Sequence, residues 1–241
     1  MKTTQFQSLR AINEAIPRCK LCPRLRAHCT KISQMKRRSF QNETYWGRPV
    51  PAFGPYSSEL ILVGLAPAAH GANRTGRMFT GDRSGDWLYR ALYRAGFANQ
   101  EHSTSRTDGL KLRNAYITSA VKCAPPQNKP TPNEIQTCSR YLENELRLLK
   151  NAKVYLCLGQ IGLNALWRFH RMLLGDSYKE MKGPFKKPKF GHNEQYVLPS
   201  GRMILMSYHP SQQNTFTKRL TEPMFDSVFK TANSWIKSFA E

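Results

Sequence analysis

Acidic residues are scarce in this chain of 241 residues, which carries 16 Asp and Glu against 37 Lys and Arg. No stretch approaches the roughly 18 consecutive apolar residues of a membrane-spanning helix. The first residues, MKTTQFQSLR, also lack the apolar core of a secretory signal. We therefore expect a cytoplasmic protein, in which the six cysteines do not form disulfides. With no internal repeat or low-complexity segment, the length predicts a single domain over residues 1–241.

The excess of positive charge, +21, is larger than solubility requires and is clustered along the chain. One acid-free run holds Arg18, Lys20, Arg24, Arg26, Lys31, Lys36, Arg37 and Arg38, and a second holds Lys182, Lys186, Lys187 and Lys189. A solvated cationic surface would explain this composition, and so would a polyanion partner. The clustering favours the polyanion, since duplex DNA offers one negative charge per roughly 1.7 Å of its axis.

Short apolar runs alternate with helical patterns. The runs at 60–63, 115–121, 153–158 and 203–206 predict buried strands. Each is followed by a helical pattern, and the one after the second run begins with a capping box from Thr131 to Glu134. This alternation predicts an α/β fold, a parallel sheet of four strands with helices on both faces. The Gly- and Pro-rich segments 64–82, 122–131 and 207–221 follow strands, so we expect them to converge at one edge of the sheet.

The segment 64–82, GLAPAAHGANRTGRMFTGD, is the most informative of these loops. It contains hardly any bulky aliphatic residue. Its functional groups are one ring, one carboxylate, one imidazole and two guanidiniums, from Phe79, Asp82, His70, Arg74 and Arg77. A loop of this composition between a strand and a helix predicts a site for a flat, hydrogen-bonding ligand near phosphate.

The cysteines suggest a metal site. Cys19 and Cys22 form a CxxC motif, Cys123 follows the second strand, and Cys138 lies 15 positions later on the capped helix. The spacing favours metal ligation by Cys19 and Cys22 over free thiols. Spacing does not choose between Zn²⁺ and an iron–sulfur cluster.

Four blocks, in this order along the chain, resemble the type-5 (family 5) uracil-DNA glycosylases, the iron–sulfur branch of the uracil-DNA glycosylase superfamily. They are GLAPAAHGANRTGRMFTGD, TSAVKCAPPQNKPTP (118–132), PKFGH (188–192) and YHPSQQNTFTKRLT (208–221). The resemblance covers nearly the whole chain. It implies a three-layer α/β/α sandwich around a four-stranded parallel sheet.

The resemblance also implies an activity, a cofactor and a partner. The protein would flip uracil out of DNA and hydrolyse its N-glycosidic bond, leaving an abasic site and so initiating base excision repair. Other deaminated bases, such as hypoxanthine and xanthine, would also be substrates. Cys19, Cys22, Cys123 and Cys138 would bind a [4Fe–4S] cluster, with Cys29 and Cys157 outside it. We expect a monomer associated with the nucleoid.

Two departures from the sibling families direct attention to particular residues. The other families of the superfamily carry a polar catalytic residue shortly after the first Gly of block one, where this chain has Leu65-Ala66-Pro67-Ala68. The resemblance therefore makes Asp82 the candidate for the polar catalytic group. The siblings read uracil with an Asn at the end of the second strand, where Ser119 stands here, and Asn128 is the nearest amide that could replace it. Lys218 occupies a position where the family leads us to expect a small residue.

We accordingly expect Phe79 to stack on the base and Asn128 to pair with its O4/N3 edge. Gly64 and Ala66 would offer backbone N–H groups, beside Ser119. His209 would donate a hydrogen bond to O2 as the base leaves as an anion. Asp82 would activate water or offset charge on the sugar. Phosphate contacts are expected from Arg74, Arg77, Ser211 and Thr215.

Each of these residues also has an ordinary structural interpretation. Asp82 precedes a helix and could simply cap it, Phe79 could be a core residue, and Asn128 a turn residue. His209 could be a loop imidazole bonded to backbone. Two rival functions follow: a glycosylase whose main substrate is not uracil, and a non-catalytic nucleic-acid-binding protein that holds zinc or iron and sulfur.

Overall fold

The computed structural model describes residues 5–174 and 186–239. Lys182 of the second basic run lies outside these residues. A five-stranded sheet forms the centre, with strand order β2-β1-β3-β5-β4. Its strands are β1 Leu60–Gly64, β2 Ala115–Ser119, β3 Val154–Leu158, β4 Gln195–Val197 and β5 Met203–Ser207.

The four predicted strands are confirmed and run parallel, with Gly64 of β1 in register with Ser119 of β2. The prediction of four strands was one short, because β4 adds to the edge of the sheet, antiparallel to β5. This strand has three residues, and none of them is buried. It therefore gives neither the apolar run nor the long alternation by which sequence indicates a strand.

Helices cover both faces of the sheet. They are α1 Leu9–Ala15, α2 Pro23–Met35, α3 Ala72–Thr75, α4 Arg83–Arg94, α5 Pro132–Leu148, α6 Gln160–Leu174, α7 Gln212–Phe216 and α8 Glu222–Lys237. Alternate β1 residues belong to two separate cores, Ile61 and Val63 to one and Leu60 and Leu62 to the other. The first core includes side chains of α1, α2, α5 and α6, and the second those of α4 and α8. The expected three-layer α/β/α arrangement is confirmed.

Local sequence signals begin the helices that position the loops. Thr131 and Glu134 form the predicted capping box: the Thr131 hydroxyl accepts from the Glu134 N–H at 3.2 Å, and the Glu134 carboxylate accepts from the Thr131 N–H at 2.7 Å. Asp82, Ser211 and Thr221 cap α4, α7 and α8. Within the described ranges, no helix combines the length and apolar character needed to cross a membrane.

Candidate active site

A cavity of about 540 Å³ opens at the carboxyl edge of the sheet, where the predicted convergence of the loops is confirmed. Its walls come from the segments after β1, β2 and β5. Of the sequence-predicted site residues, the cavity brings together Gly64, Ala66, Phe79, Asp82, Ser119, Asn128, His209 and Ser211. We call this cavity the pocket. Arg74, Arg77 and Thr215 are not among the residues that line it.

Asp82 both caps a helix and faces the pocket. One carboxylate oxygen, Oδ1, accepts a hydrogen bond from the Gly85 N–H at 2.9 Å. The other, Oδ2, lies so close to the backbone of Gly71 that a β-carbon there would meet it at 1.7 Å. Burial raises the pKa of the Asp82 carboxyl above its ordinary value. Asp82 therefore caps α4 from a position in the wall of the pocket.

Phe79 presents a ring to the pocket from a backbone that L-residues seldom adopt. Its φ is +52°, in the left-handed region. The ring is only partly buried, and its centroid lies 5.7 Å from that of His209 at an interplanar angle of 31°. A positive φ in a bulky residue has a free-energy cost that recurs at functional sites. Phe79 is thus an aromatic face held at the wall of the cavity rather than a core residue.

His209 reaches the pocket from the loop after β5. Burial lowers the pKa of its imidazole to about 4, so the ring is neutral at pH 7. Its Nδ1 is buried and has no hydrogen-bond partner within the described part of the chain. The backbone around it is fixed, since the His209 carbonyl accepts from the Asn214 amide and the Ser211 N–H, both at 2.8 Å.

Sequence reasoning did not assign a role to His192, although it lies in the PKFGH block. Its Nδ1 accepts from the N–H of Tyr208 at 3.3 Å, and its Nε2 lies 3.1 Å from the Met224 carbonyl. An Nδ1 that accepts leaves Nε2 as the donor to that carbonyl. The ring also stacks on Tyr208, with the centroids 5.1 Å apart. His192 therefore holds the strand end that carries His209.

Ser119 and Asn128 both line the pocket, but only the Asn128 side chain is free to hydrogen-bond a ligand. The buried Ser119 hydroxyl donates to the Val121 carbonyl at 2.8 Å, so its proton is already used within the protein. The Asn128 side chain is exposed, and among the residues described nothing hydrogen-bonds its amide. Gln127 and Asn128 both have positive φ, +53° and +57°, which gives the loop a defined shape.

Arg74 and Arg77 do not fit the phosphate contact expected of them. Both are buried, with exposures of 6% and 4%. Arg74 pairs with Glu43 and also donates to the Gly81 carbonyl at 2.7 Å. Arg77 makes a bidentate pair with Asp108, at 2.8 and 2.6 Å. Charges paired inside the protein are unavailable to a surface ligand, and sequence does not reveal such partners.

The two other expected phosphate contacts lie on α7. Ser211 lines the pocket and caps the helix, accepting from the Asn214 N–H at 3.4 Å. Thr215 is buried and its hydroxyl donates to the Gln212 carbonyl at 3.3 Å. Lys218, just after this helix, has φ +56°. A left-handed backbone accounts for the small residue expected at that position.

Cys19, Cys22, Cys123 and Cys138 line one small cavity beside the chain that follows β2, and we call this cavity the cysteine corner. The Lys122 N–H donates to the Cys138 sulfur at 3.3 Å. Cys29 lies beside Cys123, with its thiol 3.6 Å from the Ala124 carbonyl, but does not line the cavity. Cys157 is in the core of β3. No group of three or more His, Cys, Asp or Glu in the described ranges has the geometry of a site for one metal ion.

The pocket, the sheet and the loops define an α/β protein with a site at the carboxyl edge of its strands. A profile described as the Uracil DNA glycosylase superfamily matches residues 51–233. The type-5 uracil-DNA glycosylase of Thermus thermophilus is 46% identical over 222 residues, covering 92% of this chain and 95% of that protein. The chain belongs to the uracil-DNA glycosylase superfamily and, within it, to the type-5 group.

Other relatives agree. The type-5 uracil-DNA glycosylase of Mycobacterium bovis is 46% identical over 226 residues, or 93% of this chain and 81% of that protein. That of Pyrobaculum aerophilum is 42% identical over 214 residues, covering 89% of this chain and 87% of that protein.

Proposed function

We propose that this protein is a uracil-DNA glycosylase that acts in DNA repair. It flips uracil out of DNA and hydrolyses the N-glycosidic bond, leaving an abasic site. The observation that carries this proposal is the meeting of Asp82, Phe79, Asn128 and His209, from three distant segments, around one cavity. Relatives named as uracil-DNA glycosylases, similar over about nine-tenths of the chain, support it.

The protein holds the flipped base by stacking on its face and by hydrogen bonds to its edge. The flipped uracil stacks on Phe79, and base–aromatic stacking contributes roughly 1–3 kcal/mol. The Asn128 amide, which has no other partner among the described residues, pairs with the O4/N3 edge. Backbone N–H groups between Gly64 and Ala68 line the same cavity and bind the base or the attacking water. Ser119 shapes the wall, because its proton is already donated to Val121.

Bond cleavage separates charge, and two residues manage it. The C1′–N1 bond breaks with its electron pair on the base, which leaves as an anion with charge on O2. The neutral His209 donates a hydrogen bond to O2 and so stabilises that charge. Asp82, which also lines the pocket, accepts a proton from the water that adds to C1′ or offsets positive charge on the sugar.

Ser211, at the pocket wall, is the remaining candidate for contact with a DNA phosphate beside the flipped nucleotide. Thr215 acts through α7 rather than directly, since its hydroxyl is used within that helix. We further propose that the protein is a single domain, works as a monomer in the cytoplasm at the nucleoid, and accepts hypoxanthine and xanthine as further substrates.

We propose that the cysteine corner holds a [4Fe–4S] cluster. The residues fit this group, because four thiols from three chain segments face one cavity and a backbone N–H points at one of the sulfurs. Four separate thiols would hold such a cluster, so they need not surround one metal ion. Bound there, the cluster would have a structural role: it would cross-link residues 19–22 to 123–138, and by analogy with a disulfide such a closure would contribute on the order of 4–5 kcal/mol.

The experiment that tests the activity uses purified protein and a labelled duplex with one uracil, followed by alkali to cleave abasic sites. We expect strand breaks that require the uracil. Duplexes with hypoxanthine, xanthine, or thymine opposite guanine rank the substrates. Tight DNA binding without breaks at any of these bases would contradict the proposal and favour the non-catalytic binder.

The cluster is tested by iron content and visible absorbance. We expect Cys19→Ala to lose both, together with solubility, because one cross-link is broken. Cys157→Ala is the matched control, since Cys157 is buried in β3 away from the corner. A soluble Cys19→Ala protein with full iron and full activity would contradict the proposal.

A further inference from the structure

Two exposed arginines stack on Trp46 and form a cationic surface outside the pocket. The Cζ atoms of Arg48 and Arg106 lie 4.2 and 4.7 Å from a Trp46 ring centroid. Both arginines are exposed, and neither has an ion pair or side-chain hydrogen bond with any described residue. We call Trp46, Arg48 and Arg106 the arginine shelf.

The shelf is attached to the loop that builds the pocket. The N–H of Trp46 donates to the Arg74 carbonyl at 2.8 Å, and that of Gly47 to the Asn73 carbonyl at 3.0 Å. The indole packs against Gly76, where a β-carbon would lie 2.9 Å from it. Gly76 also has φ +78°, so the turn and the close approach both require glycine. Met78, Phe79 and Asp82, a few residues further on, line the pocket.

The buried Arg77 holds the other half of the shelf. Its guanidinium pairs with Asp108, and the same carboxylate accepts from the N–H groups of Thr104 and Ser105 at 2.8 and 3.2 Å. These residues immediately precede Arg106, so the ion pair fixes the loop that carries it. Arg77 therefore positions a surface cation although it is itself inaccessible.

We propose that the arginine shelf binds backbone phosphates of the DNA that flanks the flipped nucleotide. A guanidinium held on an aromatic face keeps its N–H edge free for bidentate contact with phosphate and loses little further entropy on binding. A formal charge of +21 supplies the long-range attraction. The proposal rests on the proposed function for its choice of polyanion, and it deepens that function by locating the flanking strand.

The test measures affinity for a uracil-free duplex at several salt concentrations. Each phosphate contact contributes about 0.9 to the slope of log K against log salt. We expect Arg48→Ala/Arg106→Ala to reduce that slope by about 1.8, two contacts' worth. The turnover rate at saturating uracil-containing DNA should stay within about twofold of the original, because no pocket residue changes.

The matched control is Arg113→Ala/Lys237→Ala, which removes the same charge. Arg113 is exposed just before β2, and Lys237 is exposed beside the start of β3, so both lie at the edge of the sheet opposite the pocket. Arg48→Lys/Arg106→Lys keeps the charge but loses the bidentate edge, and we expect weaker binding with a nearly unchanged slope.

The proposal would be overturned if the slope of log K against log salt were unchanged in Arg48→Ala/Arg106→Ala. It would also be overturned if that slope fell equally in the control pair. Either result leaves the proposed function standing, because uracil cleavage is measured separately. Conversely, a protein that shows the expected slopes but cleaves no damaged base would contradict the function and not the DNA contact.

Discussion

The pocket and the cysteine corner both border the chain that follows β2, and they differ in how their polar groups are hydrogen-bonded. In the pocket the Asn128 amide and His209 Nδ1 have no partner among the described residues, and Phe79 has a positive φ. Beside the corner, Lys122 and Glu145 are 1% and 0% exposed and form an ion pair at 2.8 and 3.0 Å. The Thr118 hydroxyl completes that network by donating to Glu145 at 2.5 Å.

This difference indicates that the pocket binds a ligand, whereas the network beside the cysteine corner stabilises the fold. A buried polar group without a partner, such as His209 Nδ1, costs free energy and persists where a ligand supplies the missing hydrogen bond. A fully satisfied network gives no ligand a place to bind, but it ties Lys122, which lies next to Cys123, to the helix that carries Cys138. The pocket should therefore respond to substitution through turnover and the corner through stability.

The largest effect on turnover should come from Asp82→Ala. A positioned general base typically contributes 10²–10⁴-fold, so we expect kcat to fall by about 10³-fold with little change in DNA affinity. The variant also loses the cap of α4, which costs about 1 kcal/mol. Kinetics on a uracil duplex, binding to undamaged DNA and chemical unfolding measure the three quantities.

The control for the lost cap is Thr221→Ala, which removes the equivalent hydrogen bond at the start of α8, from the Met224 N–H at 3.4 Å. It should cost similar stability and leave kcat unchanged. If Asp82→Ala keeps full activity, Asp82 is only a cap, and the contrast between the two regions loses its main support.

The second effect concerns stability and the ion pair beside the corner. Lys122→Met leaves the Glu145 carboxylate buried without a counter-charge, and we expect a loss of about 3–5 kcal/mol in unfolding free energy. The double substitution Lys122→Met/Glu145→Leu should recover most of it, because both charges are gone. Arg10→Ala, in an exposed pair with Glu14, should cost far less than Lys122→Met, because solvent screens that pair. Similar losses from Lys122→Met and Arg10→Ala would contradict this account.

The third effect tests how Asp82 is held. A methyl group in Gly71→Ala would overlap Oδ2, so the carboxylate must rotate away from its position. We expect kcat to fall on the order of 10²-fold, in line with the sensitivity of catalysis to small misplacements. On an Asp82→Ala background the same change should add almost nothing, since the displaced oxygen is absent. Full additivity of the two losses would show that Gly71 acts on some other part of the fold.

Sequence predicted the elements that have strong local signals. The apolar runs became four parallel strands, and Thr131 and Glu134 formed the expected capping box. The convergence of the loops followed from parallel topology alone. The strand β4 was missed because three unburied residues carry no periodic pattern.

The site was predicted less completely, and the reason is physical. Phe79 and Asp82 do line the pocket, where the predicted convergence of the loops placed them, while their roles stay predictions. Arg74 and Arg77 were assigned to phosphate, but each has an acid, Glu43 or Asp108, 31 positions away in sequence. Long-range ion pairs and the room that Gly71 leaves for Asp82 depend on tertiary packing, which no local pattern encodes.

The smallest expected effect is on the pH dependence of stability, and it is tested by comparing His209 in the pocket with His170 in the interior. Burial lowers the pKa of both rings to about 4. The unfolded chain binds a proton near pH 6.5 and the folded one does not, so each ring stabilises the fold above pH 6.5 and loses that contribution as the pH falls towards 4. Each should account for about 2 kcal/mol of destabilisation at pH 5. We expect His209→Asn and His170→Leu to flatten the pH dependence of unfolding by similar amounts, while His209→Asn alone slows turnover. An equal loss of turnover in both variants would mean that burial, and not the place of His209 in the pocket, makes the imidazole matter.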